Sequence, residues 1–283
     1  MNETDYGEIA RAAGLAKVGG RPPLGEYIRD AWRRRDFAIT LAQYRIRANN
    51  EENRLGLAWV VLKPLLNAIV YGVIFGIVLQ TSKGVHNYIA FLIVGVFIFE
   101  FFSDALSDGS KSVVSNAQLV RSLAFPRILL PVAYVLQSLF ELIPMIVVMF
   151  AIVLISGETP SFRWLMIIPV LVMMSFFNAG IAFIVARITV HLRDFAQIVQ
   201  FVTRLFFYST GVFFPLENFL KGDLLFVARL NPVHDYIALS RWALIDNSPT
   251  SPMFWYVGIV AAIVFFIGGL IFFWWAEEEY GRD

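Results

Sequence analysis

The chain has 283 residues, of which 58% are hydrophobic and only 16% are charged, and its formal net charge is +1. A soluble domain carries roughly a quarter charged residues, so this composition excludes an ordinary water-soluble domain. The balanced charge also argues against a generally basic nucleic-acid binder. With no cysteine and only three histidines, the chain lacks the usual ligands of a metal site. We expect an all-α integral membrane protein.

The N-terminal part divides into a tail and an amphipathic segment. Residues 1–23 are polar and mixed in charge, which indicates a cytoplasmic tail rather than a signal peptide. Residues 24–54 begin with an apolar face opposite a basic face: the apolar side chains are Leu24, Tyr27, Ile28, Ala31 and Trp32, and the basic ones are Arg29, Arg33 and Arg34. Such a helix usually lies in the membrane interface. An ordinary soluble helix is the alternative.

Residues 55–283 contain six apolar runs long enough to cross a bilayer. A hydrocarbon core about 30 Å thick needs roughly 20 helical residues, and a segment in lipid must be helical to satisfy its own backbone. The predicted spans are Leu57–Leu79, Tyr88–Leu106, Ile128–Ile155, Trp164–Ala186, Ile198–Phe214 and Met253–Trp275. The sequence therefore predicts one six-helix transmembrane domain.

The segment at about residues 215–252 does not fit this pattern. It is moderately apolar but contains charged residues such as Lys221, Asp223 and Arg229. It is too polar to span and too apolar for a free loop, so we expect external re-entrant helices that pack against protein. A plain external loop is the alternative.

Lysine and arginine residues set the expected orientation. The N-terminal flank and two connections are rich in them: Arg33, Arg34, Arg35, Arg45, Arg47 and Arg54 precede the first span, Lys111, Arg121 and Arg127 lie between spans two and three, and Arg187 and Arg193 lie between spans four and five. The opposite side has Lys83 and Arg163 in its two short loops. We therefore expect both termini to face the cytoplasm.

Charged side chains inside spans are costly and mark functional candidates. The candidates are Lys63, Glu100, Asp104, Glu141 and Arg204. Lys63 and Asp104 lie near predicted cytoplasmic ends, where snorkelling to the interface is the alternative. For the deeper Glu100, Glu141 and Arg204, the alternative is a structural ion pair that clamps Arg204 to one of the two glutamates.

Two of the spans carry a stripe of polar and aromatic side chains. The first comprises Trp59, Lys63, Asn67 and Tyr71, and the second comprises Gln197, Phe201, Arg204 and Tyr208. Each recurs at helical spacing, so its members share one face. Flat rings beside hydrogen-bonding groups suit sugars, and an arginine can bind a diphosphate with paired hydrogen bonds. The stripes are candidates for a substrate path, with plain helix packing as the alternative.

Catalytic and nucleotide-binding motifs are absent from the sequence. It has no G-x-x-x-x-G-K-[ST] phosphate loop, no H-E-x-x-H and no G-x-S-x-G. We expect no catalytic residue, no bound metal and no cofactor on this chain. A transporter driven by ATP would need ATP and magnesium on a partner subunit.

Several segments in consistent order resemble the ABC-2 type permeases, in the branch that exports lipid-linked polysaccharides such as O-antigen, capsule, teichoic acid and galactan. The matching segments are Trp32-Arg33-Arg34-Arg35-Asp36, Leu55-Gly56-Leu57-Ala58-Trp59, Lys63-Pro64-Leu65-Leu66, Asn116-Ala117-Gln118-Leu119-Val120, Phe125-Pro126-Arg127 with Ile128-Leu129-Leu130-Pro131, Arg193-Asp194-Phe195 and Asn231-Pro232.

The resemblance implies a bacterial cytoplasmic-membrane protein that works as a homodimer. Two copies would enclose a path for a lipid-linked glycan, with two ABC ATPase subunits bound beneath. Residues that match the cytoplasmic coupling elements would contact the ATPase; they are Asn116, Arg121, Phe125, Pro126, Arg127, Arg193 and Asp194. Closure of the ATPase pair would then move these elements as levers.

Two other functions compete with polysaccharide export. An ABC-2 exporter of a drug or lipid would have a more uniformly aliphatic cavity than the two stripes indicate. An ion-driven transporter or a membrane-embedded enzyme would need paired acidic residues at mid-bilayer or a reactive cluster, and would work without a partner ATPase.

Overall fold

The computed structural model describes residues 21–51, 55–56, 58–79, 84–278 and 280. Most of the predicted tail, together with Arg54, Leu57 and Lys83, lies outside the described residues. The helices are α1 (Leu24–Arg33), α2 (Arg35–Glu51), α3 (Ala58–Tyr71), α4 (Tyr88–Lys111), α5 (Ala117–Ser122), α6 (Leu129–Ile155), α7 (Ile167–His191), α8 (Phe195–Ser209), α9 (Asp223–Ala228), α10 (Pro232–Leu244) and α11 (Pro252–Trp275). The described residues form no strand, which confirms the all-α class.

Among the described residues, five helical segments are long and apolar enough to cross a membrane. They are Ala58–Val78, where α3 continues into π-helical turns, Tyr88–Lys111, Leu129–Ile155, Phe162–His191, where a 3₁₀ turn precedes α7, and Pro252–Trp275. These correspond to the first, second, third, fourth and sixth predicted spans. The chain is therefore a multi-pass membrane protein.

The predicted fifth span is shorter than expected. Its helix, α8, has 15 residues, or about 22 Å at 1.5 Å per residue, against a hydrocarbon core of about 30 Å. The chain turns at Gly211, whose φ is +74°, a backbone conformation that glycine adopts without the steric cost of a Cβ. The total of six spans stays a prediction.

The amphipathic segment consists of two helices that meet at Arg34. Tyr27 is buried on the inner face of α1, whereas Trp32 is 69% exposed. The second helix, α2, packs along α6. The structure therefore divides the segment that we predicted as one helix into two helices. Its position in the membrane interface stays a prediction.

Residues 215–252 contain the predicted short helices, α9 and α10. The Asn231 side chain caps α10 by accepting a hydrogen bond from the Val233 N–H, and Pro232 occupies its first turn. Helix α10 is buried along its length and packs against α4, α7 and α11. How deeply α9 and α10 enter the membrane stays a prediction.

Helix α4 is the centre of the bundle. Its residues from Ala90 to Phe99 are all buried, and α6, α7, α8 and α10 pack around it. The tightest crossing joins α7 to α11, because a Cβ on Gly180 would overlap the backbone of Phe265 and one on Gly269 would overlap Gly180. Small residues permit this close approach of two membrane helices. Helix α3 also packs against α4.

Candidate functional site

The two polar-aromatic stripes lie on α3 and α8, which both pack on α4. Much of each stripe is exposed in the single chain: Phe201 is 70% exposed, Tyr208 is 44% exposed and Trp59 is 40% exposed. Arg204 is also exposed, whereas Asn67 and Tyr71 are partly buried. The stripes therefore form a surface that the helices of this chain leave largely uncovered.

An aromatic cluster joins the two stripes at Tyr71 and Tyr208. The Tyr71 ring lies 5.2 Å from Phe207 and 4.8 Å from Phe213, and the Tyr208 ring lies 5.8 Å from Phe213. Phe75 stacks on Phe213 at 4.4 Å with an interplanar angle of 8°. The structure thus brings together Tyr71 and Tyr208, which are far apart in sequence.

The charged residues that we predicted inside the spans have different surroundings. Lys63 Nζ lies 3.9 Å from Glu100 Oε1, and the Glu100 side chain is only 16% exposed. Glu141 accepts a 3.1 Å hydrogen bond from Gln137 Nε2. Arg204 forms no ion pair with another described residue, so the alternative, a clamp to Glu100 or Glu141, is absent from the described part of the chain.

A row of acidic residues on α4 is more extensive than the sequence analysis predicted. Asp108 continues the spacing of Glu100 and Asp104 by one more turn. Our predicted span ended at Leu106, and for that reason Asp108 was missed. The spacing of four residues was the signal that could have identified it.

Arg45 extends this polar region toward the amphipathic helices. Its Nε donates a 2.8 Å hydrogen bond to Gln137, and its guanidinium lies 3.6 Å from the Tyr134 ring centroid. Tyr134 in turn hydrogen bonds with Ser115 and Asn116. The polar groups of α2 and α6 are therefore connected to the segment that carries the predicted coupling residues.

The predicted coupling segment is a short helical element held against α1 and α2. Asn116 Nδ2 donates to the Ser112 carbonyl at 2.7 Å, and Arg121 on α5 is exposed. The Phe125 ring lies 4.9 Å from Phe37 of α2, and Arg34 donates a 2.6 Å hydrogen bond to the Ala124 carbonyl. This segment and the amphipathic helices thus form one packed unit.

A buried clasp connects that unit to the end of the last span. Tyr27 donates a 2.7 Å hydrogen bond to Glu277 Oε2, and the same hydroxyl accepts one of 3.1 Å from the Ile128 N–H. The Arg127 N–H donates to Glu277 Oε1 at 3.1 Å, and its guanidinium donates to the Glu277 carbonyl at 2.8 Å. Tyr27 and Glu277 are 1% and 4% exposed. We call Tyr27, Arg127 and Glu277 the clasp.

Burial raises the pKa of the Glu277 carboxyl above its usual range, although the hydrogen bond from Tyr27 and the contacts with Arg127 act in the opposite direction. Arg127 is thus already paired inside the chain, and Arg121 is exposed. The sequence analysis missed Tyr27 and Glu277 as partners because their 250-residue separation leaves no local pattern.

Arg193 and Asp194 lie in the short connection between α7 and α8, and both are exposed. Arg193 lines a cavity of about 530 Å³ together with Lys111 and Gln197. The structure therefore brings one predicted coupling residue to the start of the α8 stripe. Arg127 lies elsewhere, as a member of the clasp, and Phe125 and Pro126 directly precede it in sequence.

At the opposite end of the bundle, α10 holds the turn that follows α8. Arg241 donates to three backbone carbonyls, those of Phe91 at 3.1 Å, Gly211 at 2.9 Å and Val212 at 2.8 Å. His234 Nδ1 lies 3.0 Å from the Thr210 carbonyl. Arg241 and His234 are each only 4% exposed. The turn that follows the C-terminal end of α8 is therefore fixed to α10 by buried hydrogen bonds.

The structure is thus a helical membrane bundle that exposes two polar-aromatic stripes. The chain belongs to the ABC-2 type transporter family, whose model matches residues 38–245, more than half of its length. The resemblance seen in the sequence is thereby confirmed.

The chain is also similar to curated export permeases. It is 24% identical over 81% of its length to an O-antigen export system permease protein RfbA of Klebsiella pneumoniae, of which it covers 89%. It is 27% identical over 68% of its length to an RfbA of Myxococcus xanthus, with 73% of that protein covered. It is 22% identical over 72% of its length to the capsule polysaccharide export inner-membrane protein CtrC of Neisseria meningitidis, with 78% covered.

Proposed function

We propose that the chain is the permease subunit of an ABC exporter that moves a lipid-linked polysaccharide across the bacterial cytoplasmic membrane. The observation that carries this proposal is the similarity over most of the chain to O-antigen and capsule polysaccharide export permeases. The aromatic and polar stripes on α3 and α8 support it, because rings beside hydrogen-bonding groups suit a sliding glycan.

In the proposed topology, residues 1–23 form a cytoplasmic tail, residues 24–54 an interfacial helical segment and residues 55–283 the transmembrane domain. Helix α8 is the fifth span, with α9 and α10 as the re-entrant elements on the outside. The concentration of lysine and arginine on one side supports cytoplasmic termini. The turn at Gly211, fixed by α10, closes the span before it reaches the outer surface.

Two copies of the chain enclose the path in this proposal. An arginine at the centre of a membrane helix costs about 2.5–3.5 kcal/mol on insertion scales, so Arg204 requires a wet or protein-lined environment. A second copy facing the exposed stripes would supply it. The path then consists of Trp59, Lys63, Asn67, Tyr71, Phe201, Arg204 and Tyr208, and Arg204 would attract the diphosphate of the lipid carrier.

Coupling to the ATPase runs through the unit formed by α1, α2 and the coupling segment. Arg121, Arg193 and Asp194 are exposed and would contact the ATPase directly. Asn116, Phe125, Pro126 and Arg127 would instead hold the unit together, since they pack or hydrogen bond within the chain. A displacement of this unit would reach the last span through the clasp.

The first prediction concerns ATP. Because the chain lacks a phosphate-binding loop, the purified chain should neither bind nor hydrolyse ATP. Co-expression with its ATPase should give a complex of two permease and two ATPase subunits that hydrolyses ATP with magnesium. Phosphate release and the mass of the complex measure this directly. ATP hydrolysis by the isolated chain would contradict the proposal that a separate subunit hydrolyses ATP. Glycan export without any ATPase would favour an ion-driven transporter.

The second prediction concerns the path. The chain has no native cysteine, so single cysteines at Asn67, Tyr71, Phe201 and Tyr208 can be labelled with a water-soluble thiol reagent. We expect labelling of all four, and protection while a glycan is being exported. Ile69, which is 55% exposed but lies off the stripe, is the control position and should label poorly from water. Equal protection of stripe and control positions in every state would leave the stripes as helix packing.

A further inference from the structure

A second cavity lies at the end of the bundle opposite the coupling segment. It has a volume of about 450 Å³ and is bounded by the residues before α4, by the turn after α8 and by the loop between α10 and α11. This volume falls within the range of roughly 300–1,000 Å³ that is typical of small-molecule sites. None of the residues predicted for the path lines it.

The cavity combines aromatic walls with neutral hydrogen-bonding groups. Phe214 and Phe254 contribute rings, and Asn87 and Asn218 contribute amides. The 96% buried His234 also lines it. A carbonyl oxygen can only accept a hydrogen bond, so the 3.0 Å contact with the Thr210 carbonyl places the ring proton of His234 on Nδ1.

This tautomer leaves His234 Nε2 as a buried acceptor with no hydrogen-bond partner among the described residues. A buried polar atom without a partner is costly, and native proteins almost always satisfy such groups. A ligand with hydroxyl donors in the cavity would provide the missing partner.

The charged groups around the cavity are already paired within the chain: Glu217 pairs with Arg229 at 3.4 Å, and Asp246 pairs with Arg163 at 2.7 Å. The cavity lining includes the carboxylates of Glu217 and Asp246. The guanidinium of Arg241 also lines it, but its donors already contact the carbonyls of Phe91, Gly211 and Val212. A phosphate would find no free cation among these groups, because the donors of Arg241 are occupied, whereas sugar hydroxyls can donate to carboxylate oxygens and to His234 Nε2.

The cavity adjoins the outer end of the path. Phe213 belongs to the aromatic cluster with Tyr71 and Tyr208, and the next residue, Phe214, lines the cavity. We propose that this cavity is a sugar-binding site that takes a unit of the glycan as it leaves the path. The inference rests on the proposed function and adds a binding site outside the path residues.

Binding can be measured on the full-length chain in complex with its ATPase, by saturation-transfer NMR with polysaccharide released from the surface of the exporting cells. Phe214→Leu keeps an apolar wall but removes the ring. We expect it to weaken binding roughly fivefold, the size of one aromatic contact. The matched control is Phe219→Leu, because Phe219 packs on Phe214 at 4.7 Å but does not line the cavity. Equal affinity of the two variants for the polysaccharide would contradict the proposed sugar-binding site.

A labelling experiment keeps the proposal testable if Phe214→Leu does not fold. Ala238→Cys places a thiol in the lining, and Thr250→Cys places one on the nearby exposed loop outside the lining. During export, the glycan should protect the first thiol from a membrane-impermeant reagent and leave the second reactive. Normal export with no protection at Ala238→Cys would refute the sugar site alone. A complete lack of glycan export by the wild-type complex would refute the proposed function itself.

Discussion

Glu277→Ala should separate the coupling unit from the last span and abolish export, even where the protein still inserts into the membrane. The substitution leaves the buried Tyr27 hydroxyl and the Arg127 N–H without their acceptor and removes the ion pair with the Arg127 guanidinium, which keeps only the backbone carbonyl of residue 277. Breaking a buried charged pair by removing one partner costs about 3–5 kcal/mol. We expect a large fall in the thermal unfolding temperature of the purified complex, together with ATP hydrolysis that no longer responds to substrate.

Two further variants calibrate this result. Tyr27→Phe removes two hydrogen bonds, the one donated to the Glu277 carboxylate and the one accepted from the Ile128 N–H, of which the bond to the charged group contributes about 1.5–3 kcal/mol. It keeps the Arg127 ion pair, so its cost should be smaller than that of Glu277→Ala. Glu278→Gln changes the adjacent carboxylate, which accepts a hydrogen bond from the Arg21 N–H at the surface, and should leave export nearly unchanged. Export by Glu277→Ala at the wild-type rate, with an unchanged unfolding temperature, would show that the clasp is not part of the coupling mechanism.

The bundle could be predicted from sequence because its elements are set by local composition. Five of the six predicted spans coincide with helices of spanning length, since a long apolar run in lipid has no alternative to a helix. Helix α8 departed from the prediction for a reason that composition does not show. The apolar run continues through Phe213 and Phe214, but Gly211 turns the chain after Ser209.

The candidate site was less predictable because its contacts join distant parts of the chain. Helical spacing correctly placed Tyr71 and Tyr208 on stripes, but the sequence could not show that Phe213 would bring them together. The pairing of Lys63 with Glu100 was also not foreseen, although both had been identified as costly intramembrane charges. Which charge pairs with which depends on helix rotation and packing, and no local pattern records either.

Arg241 is the clearest case of a residue whose role only the structure shows. In sequence it is a single arginine in a segment we treated as partly polar. In the structure, it links α4 and α10 to the turn that ends α8, and it leaves no room for a side chain on Gly95, where an added Cβ would overlap its guanidinium. The outer end of the proposed path thus depends on one buried cation.

Arg241→Met should therefore produce the largest loss of stability at the outer end of the bundle. Methionine fills much of the same space, but it leaves the carbonyls of Gly211 and Val212 without their donors in a buried setting. Each unsatisfied buried group costs about 1–3 kcal/mol, so the loss for two carbonyls should be about 2–6 kcal/mol. The turn after α8 should then detach from α10, and a cysteine introduced at Thr210, which is fully buried in the wild type, should become reactive to thiol reagents.

The matched control is Arg229→Met on the neighbouring loop. Arg229 pairs with Glu217 at 3.4 Å, and both side chains are about one-third exposed, at 35% and 36%. Such partly exposed pairs contribute about 0–1 kcal/mol, so this variant should keep Thr210 protected and export intact. Arg241→Lys should fall between the two, because an ammonium group lacks the planar fork that reaches several carbonyls at once. If Arg241→Met leaves Thr210 protected and the unfolding temperature unchanged, the turn is held by apolar packing around Phe213 rather than by Arg241.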